Sequence, residues 1–217
     1  LTSISATRGV GMEELYQILF ETTLNESSAE ESVPLQGIRC AVVGRPNVGK
    51  STLVNRLLGE DRVVVFDEAG TTRDSIYIPY EREGKPYTII DTAGVRRRGK
   101  VTEKIETFSI IKTLEAISDA NVVILMVDAR EGIVDQDLHL LGHVLDAGRA
   151  LVIAINKWDT VKDKAVAMKQ VEDRLQTSLT QVRGIPVITF SALTGKGINR
   201  LMPAVFKIFD TWNIRIS

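Results

Sequence analysis

The sequence holds a single cysteine among 217 residues, so no internal disulfide can form. Cys40 stands in an apolar, strand-like run, where packing in the core is its expected role, and its isolation fits a reducing compartment. Long hydrophobic runs are also missing. The most apolar stretch, residues 122–127, falls far short of the roughly 20 residues that a membrane helix needs, and no basic-then-apolar leader opens the chain. These absences set the expectation of a cytoplasmic protein with no membrane partner. Excess charge is lacking too: 27 basic residues stand against 28 acidic ones, a net charge of −1. That balance gives no overall drive toward nucleic acid, so such a partner has to use a local patch. Histidine is scarce. His139 and His143 lie four residues apart on one helical face, a spacing that metal sites use, but no third ligand stands at a matching distance, and both are expected at the surface.

What is present is the composition of a globular protein, 44% hydrophobic and 25% charged. The length suits one well-buried domain with a short extension. The extension has a distinctive form. Ser5-Ala6-Thr7-Arg8-Gly9-Val10-Gly11 matches Ser191-Ala192-Leu193-Thr194-Gly195-Lys196-Gly197 at Ser-Ala and both glycines, and each copy runs into an amphipathic helix. The chain also opens on Leu1 rather than Met. Residues 1–23 are therefore expected to end a preceding, related domain cut from something longer. Residues 24–36, rich in Glu and Ser and containing Pro34, are expected to form a flexible linker.

From Gly37 onward, strand-like and helix-like segments alternate as in an α/β fold. Strands are expected at 38–43, 75–82, 87–91, 121–128, 150–156 and 186–191. Helices are expected at 50–58, 103–117, 136–147, 164–179 and 198–212. Residues 83–86 are too few for a crossover helix, so the second and third strands should form an antiparallel hairpin and the rest should be parallel. The prediction is a six-stranded, mostly parallel sheet flanked by helices, with a ligand crevice at the carboxyl ends of its strands.

The stretch Gly44-Arg45-Pro46-Asn47-Val48-Gly49-Lys50-Ser51 fits G-x-x-x-x-G-K-S between the first strand and the first helix. Two glycines let the backbone curl until its N–H groups face phosphate oxygens, and a helix N-terminus behind them favours an anion. Lys50 is expected on the β- and γ-phosphates, with the Ser51 hydroxyl on Mg²⁺ and Thr52 completing the run of phosphate contacts. Asp91-Thr92-Ala93-Gly94 closes the third strand as D-x-x-G, with Val95 next. Asp91 would hold Mg²⁺ through water and the Gly94 N–H would meet a γ-phosphate. Asn156-Lys157-Trp158-Asp159 ends the fifth strand as N-K-x-D. Asp159 can accept from N1–H and the exocyclic amine of guanine, a donor pair that adenine does not offer, and a wrong base would leave a buried carboxylate unpaired. Lys157 would lie along the ring and Asn156 would brace the neighbouring loops. Ser191-Ala192-Leu193 would bring the Ala192 N–H to the guanine O6. In the long loop before the hairpin, Thr71 or Thr72 could close over Mg²⁺ and the γ-phosphate.

These elements in this order resemble the P-loop GTPases. With the repeat, the chain resembles the Der (EngA) family of bacterial double GTPases, which act in ribosome assembly, and the resemblance covers nearly the whole length. It implies a Ras-like GTPase domain over residues 37–212, preceded by the end of another and followed from 213–217 by the start of a KH-like domain. It implies GTP or GDP as ligand, a monomer acting on the large ribosomal subunit and its rRNA, and Thr72 rather than Thr71 as the Mg²⁺ ligand beside Ser51. Lys50, Thr72 and Gly94 are then the expected catalytic groups. One departure stands out: Ras-like proteins carry a water-orienting glutamine where this chain has Val95, and a hydrocarbon cannot polarise water. Related GTPases lacking it use potassium held partly by an Asn at the position of Asn47, so potassium is expected to accelerate hydrolysis here. Arg96-Arg97-Arg98-Gly99-Lys100 places four positive charges in five residues, which suits either an rRNA contact or a solvated or domain-covered loop. The alternative to a hydrolysing switch is a GTP-dependent recruitment module whose hydrolysis is negligible; an ATPase is disfavoured by N-K-x-D.

Overall fold

The computed structural model describes residues 37–60, 76–91, 105–178 and 184–214, the side chains at 60, 76, 91 and 105–109 excepted. The expected domain tail and linker at 1–36 lie outside the described residues. So do Thr71, Thr72, Thr92, Ala93, Gly94, Val95 and the basic stretch 96–100.

Six strands form one sheet in the order β2-β3-β1-β4-β5-β6. They are β1 (Ile38–Gly44), β2 (Ile76–Arg82), β3 (Lys85–Asp91), β4 (Val122–Asp128), β5 (Ala150–Asn156) and β6 (Val187–Thr189). Among the described residues, only the β2–β3 pair is antiparallel. Its turn is Glu83-Gly84, both in the left-handed region at φ of 53° and 73°, the conformation that matches a two-residue hairpin to strand twist. The turn is two residues shorter than expected, and β3 starts at Lys85. β4 and β5 are buried at every position, which is why each reads as an unbroken apolar run and not as an alternating one.

Among the described residues, five helices cover the sheet: α1 (Lys50–Glu60), α2 (Ile105–Asp119), α3 (Asp135–Asp146), α4 (Lys164–Ser178) and α5 (Leu201–Asn213). Each turns a stripe inward. Leu53, Val54 and Leu57 of α1 and Leu201, Met202 and Val205 of α5 pack with Cys40, Val42 and Val152 on one face. Ala116 and Ile117 of α2, Leu141 and Val144 of α3, and Val171 of α4 pack with Val43, Val123 and Ile153 on the other. Emptying one such position to alanine costs about 2–5 kcal/mol. Cys40 is fully buried, and burial pushes its thiol up to about 12, so it serves as core. His139 and His143 are exposed, and no group of potential metal ligands occurs among the described residues. No described helix is long and apolar enough to cross a membrane.

The last strand is the main departure from expectation. Pairing runs from Pro186, whose carbonyl accepts from the Ile153 N–H, to Phe190, whose N–H donates to the Ile155 carbonyl. Beyond it Ser191 turns away and exchanges backbone hydrogen bonds with Lys196 and Gly195. The last helix is preceded by a separate 3-10 turn, Ile198–Arg200. That turn buries Ile198 and delays the α-helix to Leu201.

Candidate nucleotide site

The loop after β1 is set by residues that accept unusual backbone angles. Gly44 has φ of 145°, and a Cβ there would stand 2.5 Å from the Met126 carbonyl oxygen. Gly49 has φ of 99°, and a Cβ would meet the Asn156 Nδ2 at 2.3 Å. Between them Asn47 adopts φ of 62°, a conformation that asparagine tolerates better than most side chains, and its side chain is exposed. Lys50 opens α1, and its Nζ donates to the carbonyls of Gly44 and Arg45, each at 2.8 Å. The start of an α-helix carries partial positive charge from its first-turn N–H groups, and in α1 that turn is Lys50, Ser51 and Thr52. The side chains of Ser51 and Thr52 are exposed there. The end of β3 brings the backbone of Asp91 beside Val42 of β1, two residues before the loop.

The base-side loops converge on the same place through Asn156. This side chain is buried, 3% exposed, at the end of β5. Its Nδ2 donates to the Val48 carbonyl and its Oδ1 accepts from the Ala192 N–H, both at 2.8 Å. One amide thus joins the phosphate loop, β5 and the turn after β6. The Ala192 N–H expected on a guanine O6 is engaged with Asn156 here. Lys157 follows with φ of 62°, an angle that costs a non-glycine residue of order 1 kcal/mol. Its Nζ donates to the Asn47 carbonyl and to Asp128 Oδ2, both at 2.7 Å, so the lysine crosses from β5 to the phosphate loop. Asp159 lies in the 3-10 turn Trp158–Thr160 with its carboxylate in solvent. Ser191 is buried and its Oγ accepts from the Thr194 N–H at 3.2 Å, while Leu193 is exposed. The structure therefore brings the phosphate loop, Asn156 to Asp159 and Ser191 to Leu193 together at the carboxyl ends of the strands.

Residues 39–157 match the 50S ribosome-binding GTPase family. The chain is a GTPase of that family. It is 52% identical to GTPase Der of Acinetobacter baumannii, over 99% of this chain and 45% of that protein. It is 54% identical to GTPase Der of Psychrobacter cryohalolentis, over 99% of this chain and 44% of the relative. The chain thus spans a little under half the length of these curated relatives. Its fold is similar to that of Era solved with MgGDPNP and a segment of 16S ribosomal RNA, at a TM-score of 0.62 and 24% identity, covering 80% of this chain and 57% of that one. A probable GTP-binding protein engB aligns at a TM-score of 0.58 and 22% identity, over 80% and 99% of the two chains.

The candidate site also includes residues that the sequence motifs do not mark. Asp128, 2% exposed at the end of β4, accepts from Lys157, from the Arg130 N–H at 3.0 Å, and from Arg130 Nη2 at 2.6 Å. The Arg130 guanidinium, then Lys157, hold its carboxyl well below the usual carboxylate range against the opposing effect of burial. The signal was available, since Asp128 is the charged end of the most apolar run in the chain. Arg56 of α1 donates to the carbonyls of Ala192 and Leu193 at 3.3 and 2.5 Å, bracing the turn after β6. Arg45 reaches away from the loop to Glu131 and Asp137, and nothing local in the sequence announces that pairing.

Proposed function

We propose that this domain is a guanine-specific switch that binds GTP and GDP, hydrolyses GTP, and acts in assembly of the large ribosomal subunit. The observation that carries the nucleotide assignment is the double hydrogen bond of Asn156. By tying Val48 to Ala192, it holds the base-side loops against the phosphate loop, as one nucleotide spanning both would require. Asp159 then reads N1–H and the exocyclic amine of guanine, and Lys157 lies along the ring while pinned to Asn47 and Asp128. Gly44 to Thr52 receive the phosphates through backbone amides. Lys50, now on two backbone carbonyls, would exchange them for β- and γ-phosphate oxygens, which offer a full negative charge in place of a dipole.

In hydrolysis, water attacks the γ-phosphorus in line with the bridging oxygen, which leaves on GDP with the bond's electron pair. Lys50 and the Gly94 N–H stabilise charge on the transferring group. Thr72 closes over it, and Val95 leaves water to be oriented by another group. The exposed Ser51 hydroxyl at the first turn of α1 suits a hard cation that prefers oxygen ligands. Ser51 and Thr72 would hold Mg²⁺ directly and Asp91 through water, with Thr92, Ala93 and Val95 completing the nucleotide contacts. Bound there, Mg²⁺ would supply charge neutralisation for the phosphates. Asn47, exposed in its left-handed conformation, would hold potassium. Turnover equal in potassium and sodium would remove that role. ATP competing as well as GTP for the site would remove the base assignment.

The ribosomal role rests on the family's description as a 50S ribosome-binding GTPase. It implies a monomer working in the cytoplasm, between a preceding GTPase domain and a following KH-like one, with Arg96 to Lys100 available to rRNA. Val95 also supports a second reading, in which GTP recruits a particle and hydrolysis is too slow to matter. Single-turnover rates measured with and without large-subunit particles separate the two: acceleration by particles supports the switch, and a negligible rate in both supports recruitment.

A further inference from the structure

We infer that Arg45, Asp137 and Glu131 form a latch that fixes the phosphate loop from behind, with Arg45 acting as a positioning residue for the nucleotide site. The inference rests on the nucleotide reading above and adds a role for a side chain that the loop motif leaves unspecified. Asp137 lies in the first turn of α3 and is fully buried. One of its oxygens accepts from the Val134 N–H at 3.2 Å and the other from Arg45 Nε at 3.0 Å. Glu131, half exposed before the helix, accepts from Arg45 Nη1 at 2.6 Å. The Arg45 carbonyl meanwhile accepts from Lys50. Arg45 is therefore held at both ends, its guanidinium on the β4–α3 connection and its main chain on the lysine expected to face phosphate.

A buried ion pair is a poor way to gain stability, since apolar residues of similar volume usually do as well or better. Burial raises the Asp137 carboxyl above its usual range even with Arg45 beside it. Arg45 Nη2 is also buried and makes no hydrogen bond to any described residue, which a cluster serving only stability would have little reason to keep. Direction is what this pair supplies. A planar guanidinium caught by two carboxylates fixes where the Arg45 backbone sits, and through it the two carbonyls that hold Lys50.

The test compares Arg45→Met, Arg45→Lys and the apolar pair Arg45→Met/Asp137→Leu in the 217-residue chain. Melting temperature and the dissociation rate of a fluorescent GDP are read together. Arg45→Met strands a buried carboxylate and should lower the melting temperature by on the order of 10 °C while speeding GDP release about tenfold. The apolar pair should recover most of the melting temperature yet keep the fast release, a separation that a structural role alone does not produce. Should Arg45→Met fail to fold, Arg45→Lys retains charge without the fork and should still release GDP several-fold faster. Wild-type release from the apolar pair or from Arg45→Lys would overturn the latch. Failure of the unmodified chain to retain GDP would instead overturn the nucleotide reading beneath it.

Discussion

The two halves of the site are held by opposite means. The phosphate loop is shaped by what is missing, a Cβ at Gly44 and at Gly49, and its polar contacts are mostly backbone. The base side is shaped by what is added, since Asn156, Lys157 and Asp128 are polar side chains buried or half-buried at the ends of β5 and β4. A loop built from backbone groups can wrap any phosphate. A pocket built from fixed side chains can choose among bases, because a wrong partner leaves a buried group unsatisfied. The two halves meet at Asn156, which is hydrogen-bonded to Val48 in the phosphate loop and to Ala192 on the base side.

Breaking that junction should have the largest effect. Asn156→Ala strands the Val48 carbonyl and the Ala192 N–H in a buried setting, at about 1–3 kcal/mol each. Chemical denaturation should show a loss of about 2–6 kcal/mol, and GDP titration should show the affinity falling at least a hundredfold. Gly49→Ala attacks the junction from the loop side. Its Cβ would displace the Asn156 amide and force alanine into a left-handed angle, so a loss of about 2–4 kcal/mol is expected, with weakened binding of every nucleotide alike. The smallest effect should come from Asp128. Its folded-state carboxyl is lowered relative to the unfolded chain, so the stability it contributes is present above about pH 4 and is lost as pH falls below that value. Against wild type, Asp128→Asn should be less stable by about 1–2 kcal/mol at pH 7, the difference narrowing in an acid titration. A gap that widened toward acid would contradict the role given to Asp128.

The contrast also explains what could be read from the sequence. Apolar runs ending in glycine or in Asn-Lys gave away the strands, because a parallel sheet buried on both faces demands such runs and puts its polar residues at their carboxyl ends. The phosphate loop and the guanine motif were legible for the same reason: their chemistry is local, fixed by spacing within eight and four residues. Arg45 and Asp137 were not, because they stand 92 residues apart and only the β1–β4 pairing brings them together. The expected span of the last strand, 186–191, is longer than β6 because Ser191 looks like strand continuation. Its backbone is diverted to Lys196 and Gly195.

The most direct test of a guanine-selecting site is equilibrium binding of GDP and XDP to the unmodified chain and to Asp159→Asn. Xanthine carries a carbonyl where guanine carries the exocyclic amine, so an amide at position 159 offers it a donor that the carboxylate lacks. The expected result is a reversal: the unmodified chain prefers GDP by at least a hundredfold, and Asp159→Asn loses GDP and gains XDP. Unchanged GDP affinity in Asp159→Asn would show that Asp159 does not read the base and would contradict the assignment.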